Sequence, residues 1–342
     1  MTSSLVLVGN SKDGTIITFD LSGDQLTQLA VSEVGAPGLP LAVDARRDRV
    51  FAGTTKPFGV VVLKLDRDSG TLSPIGHTEV EGAVVYLKLS SDGSRLFWGS
   101  YHQGVGGVLA VADDGSLSAV GDIISYPNIH SVQATSDGLN AYYVSLHDDL
   151  VAQYSVDPET GLHPLDPPTV AAPQGSGPRH LILSSDETAV YVITEYSGEV
   201  LHYRRDPESG RLELVATQIC IPTDRGLKHS RFGADPRAEQ LIWAADLHLD
   251  ESETRLYCSE RNRATITALD IASGGVLGGV TAHSEVVAQP RGFAVLPNGD
   301  LLVASEIDRI VAQYRPDGDS ALTLVDTFPA GLGAYWIEVI NR

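Results

Sequence analysis

Three segments of this chain begin with a basic or imidazole side chain where a plain strand would carry an apolar one. They are His130 in NIHSVQATSDG, Arg179 in GPRHLILSSDET and Arg291 in QPRGFAVLPNG. Each stands seven residues before a turn residue: Asp137, Asp186 or Asn298. The equivalent position elsewhere reads Leu39, Val85 and Ala245, with Tyr335 near the matching place at the C-terminal end. A second set, nine residues after the turn, reads Tyr101, Leu146, Glu195, Arg261 and Ile307. Arginine grips carboxylate or phosphate oxygens with a planar fork. It also stabilises the oxyanion that develops when an ester carbonyl is attacked. A glutamate or histidine held among arginines can act as general base toward water. Neighbouring arginines would keep Glu195 ionised. The candidate catalytic residues are therefore His130, Arg179, Glu195, Arg261 and Arg291. Tyr101, His180, Asp246 and His248 are candidates for substrate binding, and the pair Asp246 and His248 also suits a structural bridge inside one unit. His229 and His283 read as loop residues. An isolated arginine in a strand is usually solvated, but independent surface residues have no reason to share a register.

What gives them that register is a repeat. An apolar strand runs into a turn, as in YLKLSSDG, SVQATSDG, LILSSDET and FAVLPNG. These dipeptides favour a tight two-residue hairpin reversal. A short strand rich in β-branched and aromatic residues follows: RLFWGSY, AYYVSL, AVYVITE, RLYCSE, LLVASE. An alternating strand such as VLHYRRD comes third, and often a turn and a further strand after it. No stretch between them reads as an amphipathic helix of useful length. Units begin near residues 38, 83, 128, 177, 244 and 289, and segment 218–243 stretches the period once. Four short strands every 40–50 residues or so is the pattern of propeller blades. Six blades are complete. The C-terminal AYWIEVINR and the N-terminal LVLVGN, GTIITFDL and QLTQLAV supply a seventh, which closes the ring and removes a sheet edge. The expectation is an all-β, seven-bladed propeller over residues 1–342, one domain, with 334–342 as the innermost strand of the closing blade. Both sets of positions then open on one face, with polar members gathered beside blades three to six.

The 342 residues suffice for an ample core. A net charge of −20 opposes a polyanionic partner such as nucleic acid. It also means that an anionic ligand needs a local arginine cluster to overcome the general field. No apolar run has transmembrane length, and the N-terminus lacks the pattern of a signal peptide. Cys220 and Cys258 read as reduced thiols of a cytoplasmic protein. No GxSxG elbow, P-loop, HExxH or zinc-type cysteine spacing is present; GSGPRH has the wrong order. The arginine-dominated ring opposes a catalytic cation, so no catalytic metal is expected.

At FWGSYHQG, NIHSVQATSDG, GSGPRHLIL, YVITEYSGEVLHY, WAADLHLDESETRLYCSER and AQPRGFAVLPNGDLLVAS the chain resembles the propeller-type 6-phosphogluconolactonase family. That family includes the fungal carboxymuconate lactonizing enzymes. The resemblance runs from about residue 38 to the C-terminus. It implies a seven-bladed propeller with its site at one mouth of the channel. It also implies cofactor-free hydrolysis of a sugar-acid δ-lactone, or reversible lactone formation in the muconate branch. A histidine, two arginines and a glutamate are implicated in that branch; His130, Arg179 and Glu195 match three of them, and Arg261 matches the fourth. Bacterial members often carry Gln where this chain has Ile307, and an asparagine where it has Thr194. Segment 218–243 also diverges. Three readings follow: a lactonase acting on a small anionic sugar lactone, a carboxymuconate-type cycloisomerase, and a non-enzymatic binding propeller. The expected protein is a cytoplasmic monomer or weak homodimer without nucleic-acid or membrane partners.

Overall fold

Apolar β-branched runs broken by Asp- and Gly-bearing turns make strands of nearly the whole chain. The computed structural model describes residues 3–35 and 40–341, which contain 28 strands and one helix of 4 residues, Pro236–Glu239. Leu39, expected on the apolar side of the mouth, lies outside the described residues. The strands form seven four-stranded sheets, each an antiparallel blade. In six blades strand order follows the chain. In the seventh, Ala334–Asn341 pairs with Ser3–Asn10, followed by Thr15–Ser22 and Gln25–Glu33. The chain ends thus close one blade, as the repeat requires. Blade one begins at Leu41–Asp44 and blade six at Pro290–Val295.

Seven apolar clusters hold the ring, each shared by two neighbouring blades. Tyr142 and Val144 of blade three, for example, pack on Val190, Val192 and Leu201 of blade four. Each such fully buried side chain contributes roughly 1.5–3 kcal/mol. Cys220 and Cys258 are buried free thiols within one of these clusters.

The first hairpin of each blade shows why aspartate recurs there. Asp137 Oδ1 accepts from the Leu139 backbone N–H at 2.9 Å and from Thr135 Oγ1 at 2.6 Å. Asp92 and Asp186 repeat the arrangement. The loop is longer than the two residues expected. Its closing backbone pairs are Ser90 with Arg95, Thr135 with Asn140, Ser184 with Ala189 and Asp250 with Arg255. In blade six the pair is Leu296 with Asp300, one residue shorter. That missing residue moves the register of everything after it.

The innermost strands share another feature. Pairing skips one residue at Val85, His130, Arg179, Arg291 and Tyr335, and in blade five Ala245 and Asp246 together face Ser259. These are β-bulges, which bend a strand and re-aim a side chain.

Candidate functional site

The bulged residues of blades two, three, four and six point into a cavity of about 240 Å³ at one mouth of the channel. Val85, His130, Arg179 and Arg291 line it, joined by Tyr101, Glu195 and Arg261 at the ends of the second strands. All five expected catalytic residues, and Tyr101, therefore meet in one place. His102 and Trp243 complete the lining.

Glu195 is the hub. Its Oε2 accepts from Arg179 Nε and from Arg261 Nη2, both at 2.8 Å. Arg179 is 1% exposed, and a buried charge requires partners. Its Nη1 donates to the Ala245 carbonyl at 2.5 Å and to His180 Nε2 at 3.0 Å. Arg261 donates to the Trp243 and Ala244 carbonyls and lies 3.9 Å over the Trp243 ring. Such a cation–π contact contributes about 0.5–2 kcal/mol. Trp243 is held in turn by its N–H on Glu260 Oε1, at 2.9 Å. Arg291 sits 5.0 Å over Tyr335 and donates to Glu306 Oε1 at 3.2 Å, while Gln289 holds the other Glu306 oxygen at 2.7 Å.

Burial alone would raise the Glu195 pKa, but Arg261 and Arg179 outweigh it and hold the carboxyl below its usual range. Glu306 behaves likewise, with Arg291 as the dominant counter-charge. His130 is held well below the usual imidazole range by burial and then by Arg179, His180 and Arg291. It is neutral at neutral pH, and its buried Nδ1 has no hydrogen-bond partner. Its ring stands edge-on to Tyr101 at 5.5 Å. Several arginine donors are also unspent. Among the described residues no protein acceptor meets Nη2 of Arg179, Nη1 of Arg261 or the buried Nε of Arg291. The site thus offers donors to an anion, a neutral imidazole and a fixed carboxylate.

Three expectations need correction. Ile307 is 47% exposed and does not line the cavity. The equivalent position is Glu306, 8% exposed, because the shorter blade-six loop shifts the count by one. Counting from Asp300, the residue that closes the shorter loop, instead of from the turn, would have found it. His180, Asp246 and His248, expected to bind substrate, face away from this mouth. They line a second, larger cavity of about 490 Å³ deeper in the channel. His248 Nε2 lies 3.2 Å from Asp246 Oδ2, the structural bridge that the pair also suited. His283 is in the outer strand Val276–Glu285, bonded to Thr267 Oγ1, and not in a loop. Trp243 opens the matching stretch WAADLHLDESETRLYCSER but was missed, because it also closes the divergent segment 218–243 and stands just ahead of the aligned unit. That segment folds over the rim: Ser230 N–H bonds the Tyr196 carbonyl, and Phe232 packs on His147.

The model of the family described as "Lactonase, 7-bladed beta-propeller" matches residues 5–332. The chain belongs to this lactonase family. Curated relatives agree in kind. A 6-phosphogluconolactonase of Cronobacter sakazakii is 26% identical over 320 residues, covering 92% of this chain and 91% of the relative. One of Sodalis glossinidius is 25% identical and covers 93% and 92%. Among solved structures, the periplasmic gluconolactonase of Pseudomonas aeruginosa superposes with a TM-score of 0.87 at 24% identity, over 99% of both chains. The fold is thus shared from end to end. As a lactonase the protein is an enzyme that hydrolyses a cyclic ester, and the non-enzymatic reading falls away.

Proposed function

We propose that this lactonase opens a sugar-acid δ-lactone, 6-phosphogluconolactone or a related aldonolactone, to the acid. The observation that carries the reading is the surplus of unspent guanidinium donors around a neutral His130. Three guanidiniums face two carboxylates, Glu195 and Glu306, in a protein whose net charge is −20. That local excess suits an anionic substrate and the oxyanion formed from it. The names of the curated relatives favour the phosphorylated lactone.

In this reading the lactone carbonyl oxygen lies against the free donors of Arg179 and Arg261, and Arg291 receives the acidic part of the substrate. His130 takes a proton from the attacking water, which adds to the carbonyl carbon. The C–O bond to the ring oxygen then breaks, and the imidazolium returns its proton to that oxygen. Glu195 is a poor base, because one oxygen already accepts two guanidinium bonds; it fixes Arg179 and Arg261 in place.

The test is a panel of aldonolactones, plain, 6-phosphorylated and 6-sulfonated, assayed against wild type and Arg291→Ala. Hydrolysis above the spontaneous rate, with the anionic members losing most in the variant, is expected. No acceleration of any member would refute the reading. The neutral His130 would also serve proton transfer at carbon, as a cycloisomerase needs. Loss of ultraviolet absorbance from a conjugated diacid would support that reaction, and unchanged diacids would exclude it.

A further inference from the structure

Arg179 and His180 are consecutive, yet they line different cavities. Between them runs an unbroken chain of contacts. Asp246 Oδ1 lies 2.8 Å from His180 Nδ1, and His180 Nε2 lies 3.0 Å from Arg179 Nη1. Arg179 Nε then reaches Glu195. Arginine has donors and no acceptor. The Nη1 contact therefore requires a lone pair on His180 Nε2, which leaves the proton on Nδ1, pointing at Asp246. Only one tautomer of a neutral His180 satisfies both neighbours. The blade-five bulge supplies the other half of the clamp. Ala245 and Asp246 face the single residue Ser259; the Ala245 carbonyl takes Arg179 Nη1, and the Asp246 carboxylate takes His180. Asp246 is itself fixed, by its N–H on Ser259 Oγ at 3.0 Å and by His248.

We infer that Asp246 and His180 are positioning residues of the lactonase site, setting the imidazole tautomer that locks the Arg179 fork toward Glu195 and the substrate. The inference rests on the function proposed above for its kinetic arm, but its structural arm does not. In Asp246→Asn the oxygen facing His180 stays an acceptor, because the Leu247 backbone N–H also bonds it at 3.0 Å, but the charge that pins the proton to Nδ1 is gone. The proton then spends part of its time on Nε2, where it faces the Arg179 N–H, donor against donor, and Arg179 turns away. In His180→Gln the side-chain carbonyl reaches about where Nε2 stood and accepts from Arg179 without any tautomer to set.

The experiment uses the full-length protein. ¹⁵N NMR of the His180 imidazole should show Nδ1 protonated and Nε2 bare in wild type, and a larger Nε2-protonated share in Asp246→Asn. With 6-phosphogluconolactone, Asp246→Asn should lower kcat roughly 10- to 100-fold, as loss of the carboxylate behind a metal-bound histidine does. KM should change less. Because Gln has no tautomer, Asp246→Asn in the His180→Gln background should cost less than threefold. An Nε2-protonated His180 in wild type would overturn the inference. So would an equal loss from Asp246→Asn in both backgrounds, which marks a merely structural role. If wild type opens no lactone, the function proposed above has failed and the NMR result alone decides this one.

Discussion

The two cavities of the channel teach opposite lessons. The deeper one has about twice the volume, about 490 against 240 Å³, yet most of its charges are satisfied; among its charged lining residues Lys88 alone makes no hydrogen bond or ion pair to the described residues. Asp246 is shared by His180 and His248, and Glu338 accepts from Trp336 Nε1 at 2.9 Å. The smaller mouth cavity keeps free guanidinium donors and a histidine nitrogen without a partner. Size does not mark the site; several unspent donors gathered around one histidine do. The same bulges separate the two. In blade four the skipped residue, Arg179, turns to the mouth, and the next, His180, turns to the channel. Val85 and Tyr86 divide in the same way in blade two.

The comparison breaks most visibly at His130. His130→Ala should lower kcat by roughly 10² to 10⁴, the range of a general base. If steady-state assays show less than a tenfold loss, the base is elsewhere. Arg179→Ala should cost about 10² to 10³ in kcat, as loss of an oxyanion donor does. Arg291→Ala should act mainly through KM. A charge-assisted hydrogen bond of about 1.5–3 kcal/mol corresponds to a 10- to 150-fold loss in kcat/KM for the phosphorylated lactone.

Arg261→Gln sharpens the electrostatic side. Arg261 is the strongest influence lowering the Glu195 pKa. The ionised carboxylate is what fixes Arg179 and Arg261, so its own titration is the readout, because the kcat/KM profile also follows protonation of the His130 base. Followed by ¹³C NMR, the Glu195 carboxyl should titrate below the usual glutamate value of about 4.3 in wild type and at higher pH in the variant. Linkage has the same sign. The stability contributed by Glu195 is present above its unfolded pKa and lost as pH falls through the lowered folded one. At the small end, Ile307→Ala and Lys88→Met should each leave kcat/KM within about twofold, as substitutions outside the mouth cavity do. A larger loss from Lys88→Met would return the deep cavity to the reaction.

How much of this was legible in the chain depends on what each residue answers to. The blades were legible because a period of alternating strands and Asp-bearing turns is a local property. His130, Arg179 and Arg291 were legible because they interrupt that pattern at a constant offset. Glu306 was not, because a loop shortened by one residue changes register without changing composition. Trp243 was not, because it stands at the border of the divergent segment 218–243, at a position where the blades have no common residue type. The opposite facing of Arg179 and His180 was not, because a bulge is a matter of pairing between strands.

The sequence by itself determined the seven-bladed ring, its closure by the two chain ends and the residue types gathered at one mouth. Repetition encodes those things, and repetition can be read in one dimension. The tertiary structure decided which side of the wall each polar residue faces and which donors stay free. Those depend on bulges, loop lengths and contacts between blades more than 60 residues apart, such as Arg179 with Ala245.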